Sequence, residues 1–164
     1  MKIIFFDCEF ASFFSPDPIS IGFVSDCGQE FYVEFTDTWK MRDCSEFVKD
    51  TVLPELWGNE YEATEAEAIK RFGKWIEAFE VSVQLGCDSP TYDEAIIRKL
   101  LDKHGWPANL NREILWIDVD DFKFYMALNQ VWDEHPEAVR HHALWDAKVL
   151  MLAARLREKY AFFP

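Results

Sequence analysis

"KIIFFDCEF", residues 2–10, decides the reading of this chain. Ile3–Phe6 is an apolar run of the kind a strand needs when it is buried on both faces, and Lys2–Phe6 reads as that strand. Asp7 and Glu9 then break it. Residues two apart on a strand share a face, so both carboxylates project together from the C-terminal end of that strand. Two like charges this close repel, and removal from water makes the repulsion worse. A divalent cation relieves it, because hard ions such as Mg²⁺ and Mn²⁺ take oxygen ligands of this kind. The plain alternative is that the strand has ended and both acids are solvated.

The 164 residues are 49% hydrophobic, with 15 Phe, which predicts one compact domain over 1–164. No apolar run approaches the ~20 residues that span a bilayer. The start "MKIIFFDCEF" has neither a long apolar h-region nor a small-residue cleavage site, so it does not read as a signal peptide. Cys8, Cys27, Cys44 and Cys87 show no CxxC spacing and read as reduced thiols of a cytoplasmic protein. The net charge of −13 is uneven: residues 1–97 carry 20 acids and 7 bases, and residues 98–164 carry ten of each. Such acidity argues against broad binding to duplex nucleic acid, which needs basic patches. It leaves room for a small site holding one strand end beside bound cations.

Around the first strand the pattern extends as an α/β chain. Ile19–Ser25 ("ISIGFVS") and Gln29–Phe35 ("QEFYVEF") read as strands joined by the turn Asp26–Gly28. Ser45–Leu53 reads as a short helix stopped near Pro54. Thr64 with Glu67 forms a capping box opening a helix to Phe79, with Ile69, Phe72 and Ile76 on one stripe. Val81–Leu85 is a predicted strand, Pro90–His104 a helix and Ile114–Ile117 a strand. Helices over Val119–Gln130 and His142–Tyr160 follow. Three antiparallel strands and then two parallel ones predict a mixed five-stranded sheet with helices on both faces.

Chemistry in such sheets gathers at strand ends. Asp93 lies in "CDSPTYDEAIIRKLL", just inside a helix, where an acid also suits the helix dipole. Asp146 lies in "RHHALWDAKVLMLAARL", in the first turns of the last helix, where a packed apolar surface makes a lone acid costly. His142 stands four residues before it, on the same face if the helix has begun. His141 belongs to the entry loop, where a general base can lean over a site. His104 and His135 read as surface residues.

This set of residues resembles the DEDD superfamily of 3′–5′ exonucleases, the RNase T and DnaQ-like proteins with a ribonuclease H-like fold. "FFDCEF" is similar to their first motif, "ISIGFV" to their second strand, and "DSPTYDEAIIRKLL", with Asp93, to their second motif. "HHALWDA" is similar to their third motif, His-x4-Asp, with His141 and Asp146. The position four before that last Asp is His142 and not Tyr, so the chain resembles the histidine subclass, DEDDh. The motifs occur in order along nearly the whole chain. "DCEF", "ISIGFV" and "FVKDTVLP" most resemble a small branch of bacterial exoribonucleases typified by a mycobacterial member. Two positions depart from the pattern. Cys8 replaces the commoner Thr, on the opposite face, and Asp88 stands five before Asp93, where relatives can carry Asn.

The resemblance implies two Mg²⁺ or Mn²⁺ ions held by Asp7, Glu9, Asp93 and Asp146, with His141 taking a proton from the attacking water. Substrates would be 3′ ends of single-stranded RNA or DNA, RNA favoured, and the product a nucleoside 5′-monophosphate. Phe10, Phe13, Phe14 and Tyr92 are candidates for stacking on bases, and Arg140, Lys148 and Arg98 for touching phosphates. Each is otherwise ordinary packing or surface charge. Relatives are often dimers, and the apolar "YAFFP" at 160–164 is a candidate homodimer contact. The competing expectations are an exodeoxyribonuclease of the same family, an endonuclease of the same fold, and a non-catalytic module binding a nucleotide or protein.

Overall fold

The computed structural model describes residues 1–160. Six strands form one sheet in the order β4-β3-β2-β1-β5-β6. β1, Lys2–Phe10, runs four residues past the apolar run, so Asp7 and Glu9 lie within the strand and not beyond its end. β2, Pro18–Ser25, pairs antiparallel with β1, setting Asp7 opposite Gly22 and Glu9 opposite Ser20. β3, Glu30–Phe35, pairs antiparallel with β2 across the Asp26–Gly28 turn. Gly28 takes φ 87°, a left-handed conformation that glycine adopts without a Cβ penalty. β5, Val83–Cys87, joins β1 in parallel, and β6, Leu115–Trp116, joins β5 in parallel.

The arrangement of three antiparallel and two parallel strands is the predicted one. β4, Glu62–Ala63, is a sixth, two-residue strand parallel to β3. Two residues are too few to show a period of two, so it leaves no sequence signal.

Four helices cover the sheet: α1, Glu65–Glu77; α2, Ala95–His104; α3, Phe122–Glu134; and α4, Ala143–Tyr160. Thr64 caps α1 by accepting from the Glu67 N–H, as its capping box predicts. Asp121 caps α3 through the Phe124 N–H, which starts that helix later than its apolar pattern does. The predicted helix near residue 50 is a run of wide π-type turns, Val48–Val52, followed by a 3₁₀ turn, Leu53–Glu55. A similar π-type turn, Pro90–Glu94, leads into α2.

Alternation along β1 divides the core. Ile4, Phe6 and Cys8 face α1 and α2 beside Phe23, Phe72 and Leu101. Phe5 faces the other way, among Phe124 and Val131 of α3 and Ala147 and Leu150 of α4. Burying each such side chain contributes about 1.5–3 kcal/mol. Asp7 and Glu9 share the Phe5 face, so the carboxylates lie under α4.

Gly22 brings α4 down onto that face. A Cβ there would stand 2.3 Å from the backbone N and Cα of Leu144. Only hydrogen fits, and the first turn of α4 therefore presses on β2 directly across from Asp7.

All four cysteines are free, with Cys8, Cys44 and Cys87 buried. Among the described residues, no helix is long and apolar enough to cross a membrane. Of the "YAFFP" stretch, residues 161–164 lie outside the described residues.

Candidate active site

Three chain segments deliver acids to one cleft of about 760 Å³. β1 supplies Asp7 and Glu9. The segment after β5 supplies Asp88, and the following π-type turn supplies Asp93. The first turn of α4 supplies Asp146. The β1–β5 pairing ends at Phe5 and Gly86, three residues before Cys8, and the Cys8 N–H donates to the Asp93 carboxylate. The N–H groups of His141 and His142 donate to Asp146. These backbone donors fix where two of the carboxylates point.

Within the cleft the ligand atoms fall into two groups, each spanning no more than 4.8 Å: Asp7, Asp88 and Asp93 in one, and Glu9, His141 and Asp146 in the other. Asp7, Glu9, Asp93, Asp146 and His141 all came forward from the sequence, and the fold gathers them. Asp88 did not receive a role there. The period of a strand stops at its end, so nothing local says which way the first residue beyond β5 turns.

Burial and mutual repulsion raise these carboxyls. Desolvation, then the charge of Asp93, pushes Asp7 well above the usual carboxylate range. Desolvation, reinforced by Asp146 and Asp93, raises Glu9 to about 8. Asp93 rises to about 8 through burial and the Asp88 charge, and Asp146 to about 7 chiefly through burial. Asp88 is raised by burial as well. Among the described residues none of the five carboxylates forms an ion pair with Lys, Arg or His. An unpaired buried charge is expensive. Five carboxylates in two compact groups, one of them joined by the His141 imidazole, suit divalent cations such as Mg²⁺ and Mn²⁺.

His141 stands at the cleft on the loop before α4, with φ 61°. A left-handed conformation at a non-glycine residue is uncommon and concentrates at functional sites. Its ring meets Phe47 edge-on at 4.9 Å. Partial desolvation, then the Arg140 charge, lowers its pKa from the ordinary histidine value.

His142 does not share the cleft, because α4 begins only at Ala143. It is buried between Tyr32, at 4.6 Å, and Trp57, at 4.5 Å, and among the described residues neither ring nitrogen has a hydrogen-bond partner. Burial pushes it down to about 4, which keeps it neutral.

One wall of the cleft is aromatic. Phe10 stacks on Tyr92 at 5.1 Å and 19°, and Phe13 meets Tyr92 at 5.1 Å. Phe13 is 70% exposed, an open apolar face. Phe14 is fully exposed and does not line the cleft. Arg98 pairs with Glu94 at 2.7 Å and Lys148 with Glu30 at 3.0 Å, both outside the cleft, whereas Arg140 lines it. Phe47 and Trp132 also line it and were not singled out from the sequence. With 16% of the chain aromatic, single aromatic residues read as packing.

No family model matches the chain, and no curated protein sequence matches it. Among solved structures the chain is similar to the zinc-bound crystal structure of an E. coli ExoI–ssDNA complex, with a TM-score of 0.58 and 13% identity. The alignment covers 97% of this chain and 40% of that one, so the chain spans well under half of its neighbour's length. The likeness is one of fold, and with the mixed six-stranded sheet it gives this chain a ribonuclease H-like α/β architecture.

Proposed function

We propose that this chain is a divalent-metal-dependent 3′–5′ exonuclease domain of the DEDDh type, acting on single-stranded ends and releasing nucleoside 5′-monophosphates. One observation carries the reading. Five carboxylates from three segments, with His141, converge on one cleft without an ion pair among the described residues. The ordered motifs around Asp7, Glu9, Asp93, His141 and Asp146 support the superfamily. So does the fold shared with a protein crystallised on ssDNA. Placement in the mycobacterial-type branch, and with it the preference for RNA, rests on the short motifs alone. The neighbour's bound ssDNA favours DNA as the second reading.

Asp7, Asp88 and Asp93 would hold one Mg²⁺ or Mn²⁺, and Glu9 and Asp146 the other. Such ions, when bound, cancel the carboxylate charge, acidify water and stabilise a leaving 3′ oxygen. The chain's own groups do the rest. His141, its ring nitrogen within 4.8 Å of Glu9 and Asp146 oxygens, takes the proton of the attacking water. Its lowered pKa keeps it neutral and able to accept. Phe47 holds the ring from its edge. Phe10, Phe13 and Tyr92 offer faces to the terminal bases, with stacking of about 1–3 kcal/mol per base. The 760 Å³ cleft admits one strand end, and the acidic surface disfavours long duplexes.

The test uses matched RNA and DNA 12-mers, 5′-labelled, in Mg²⁺ or Mn²⁺. Stepwise shortening from the 3′ end, lost in Asp146→Asn, is the expected result. Internal cuts, or no cleavage of either polymer, would remove the exonuclease reading.

A further inference from the structure

Among the described residues lining the cleft, Arg140 is the one Lys or Arg. It stands directly before His141, and its charge lowers the pKa of both His141 and Asp146. Proximity to acids ordinarily ends in a salt bridge. Here, among the described residues, Arg140 pairs with no carboxylate, although five share the cleft. Its guanidinium lies over the indole of Trp132, 4.2 Å from the ring centroid. That is a close cation–π contact, and it holds the planar fork while leaving its N–H donors free. Trp132 belongs to a second wall of the cleft, with Leu128 of α3 and Val149 and Leu150 of α4. This wall is apolar except at Arg140.

A guanidinium presented in this way matches a phosphate through two parallel N–H···O bonds. The scissile phosphate must lie against the carboxylates, since the ions that act on it are held there. Arg140 forms an ion pair with none of them among the described residues, which suits a phosphate set back from the carboxylates better than the one between them. Only the linkage on the 5′ side exists next to a terminal scissile bond. We propose that Arg140, seated on Trp132, is the anchor for the phosphate one nucleotide upstream of the bond that is cut. The proposal rests on the exonuclease reading and extends it: the smallest well-held substrate carries two phosphodiesters.

The experiment is a binding cycle, read by fluorescence anisotropy of a labelled tetranucleotide with Ca²⁺ as the cation. One version carries natural linkages. A second carries an uncharged methylphosphonate one step upstream of the 3′-terminal linkage, and a third carries it one step further on. For the unaltered chain, the first neutralisation should weaken binding roughly tenfold to a hundredfold, the scale of a charge-assisted hydrogen bond. Arg140→Ala should bind the natural tetranucleotide that much more weakly and be indifferent to the first neutralisation. Arg140→Lys should keep part of the sensitivity, and Trp132→Ala should lose part of it. Equal loss in the unaltered chain and Arg140→Ala on the first neutralisation, or sensitivity that follows the further linkage, would overturn the assignment. The readout does not depend on cleavage. An inactive chain whose binding still shows the Arg140-dependent step would refute the exonuclease reading and keep the anchor.

Discussion

Replacing Asp93 with Asn should stabilise the metal-free chain while destroying its activity. Asp93 is 3% exposed, and burial together with the Asp88 charge raises its carboxyl to about 8 from an ordinary 3.8. A folded-state pKa above the unfolded value means that folding favours the protonated form. The stability is therefore whole below about pH 4 and is lost as pH rises toward 8. One such group removes about 1.4 kcal/mol per pH unit inside that window, or about 2.7 kcal/mol between pH 5 and pH 7. Asn cannot ionise, and its amide oxygen still accepts from the Cys8 N–H. Removing the charge also relieves Asp7 and Glu9, which feel Asp93 directly. Urea denaturation in EDTA at pH 5, 6 and 7 measures the difference. Asp93→Asn should gain on the unaltered chain by at least that amount over the interval, and Mg²⁺ or Mn²⁺ should narrow the gap by binding only the native acid set. Parallel pH–stability curves for the two chains would refute the reasoning, because Asp93 would then carry no penalty for its charge.

Three further outcomes follow from the same geometry. Gly22→Ala forces a Cβ against the Leu144 backbone and should cost about 3 kcal/mol, with loss of activity as Asp146 moves off the sheet; thermal melts and rate assays check both. His141→Ala should lower kcat by about 10²–10⁴ with little change in Tm, since the side chain is exposed. Asp88→Asn should weaken Mn²⁺ binding roughly tenfold or more in calorimetric titration, because Asp88 shares a ligand group with Asp7 and Asp93; an unaltered isotherm would take Asp88 out of the ligand set.

The acids at the heart of the cleft were legible because their positions follow from local rules. Strand alternation puts Asp7 and Glu9 on one face, and the first turns of helices hold Asp93 and Asp146 at fixed heights. What lay hidden depends on tertiary placement. The apolar pattern ended the α3 helix at Gln130, but the helix runs on to Glu134, and that added turn carries Trp132 to the cleft. Phe47 reaches His141 from a turn whose wide geometry no periodicity announces. His142 was placed by helical spacing on the Asp146 face, yet α4 starts one residue later and His142 packs among Tyr32 and Trp57 instead. Gly22 illustrates the reverse case. It reads as one glycine in a strand, and its reason appears only when Leu144 is seen against it.

On the proposed function, the gathered carboxylates hold divalent ions over a 3′ end. A single time course on a 5′-labelled single strand, with Mn²⁺ and then with EDTA, addresses it most directly. With Mn²⁺ the strand should shorten one nucleotide at a time, release nucleoside 5′-monophosphates and stop shortening when EDTA is added. Shortening that continues undiminished in EDTA, or a strand left intact with Mn²⁺ present, would contradict it.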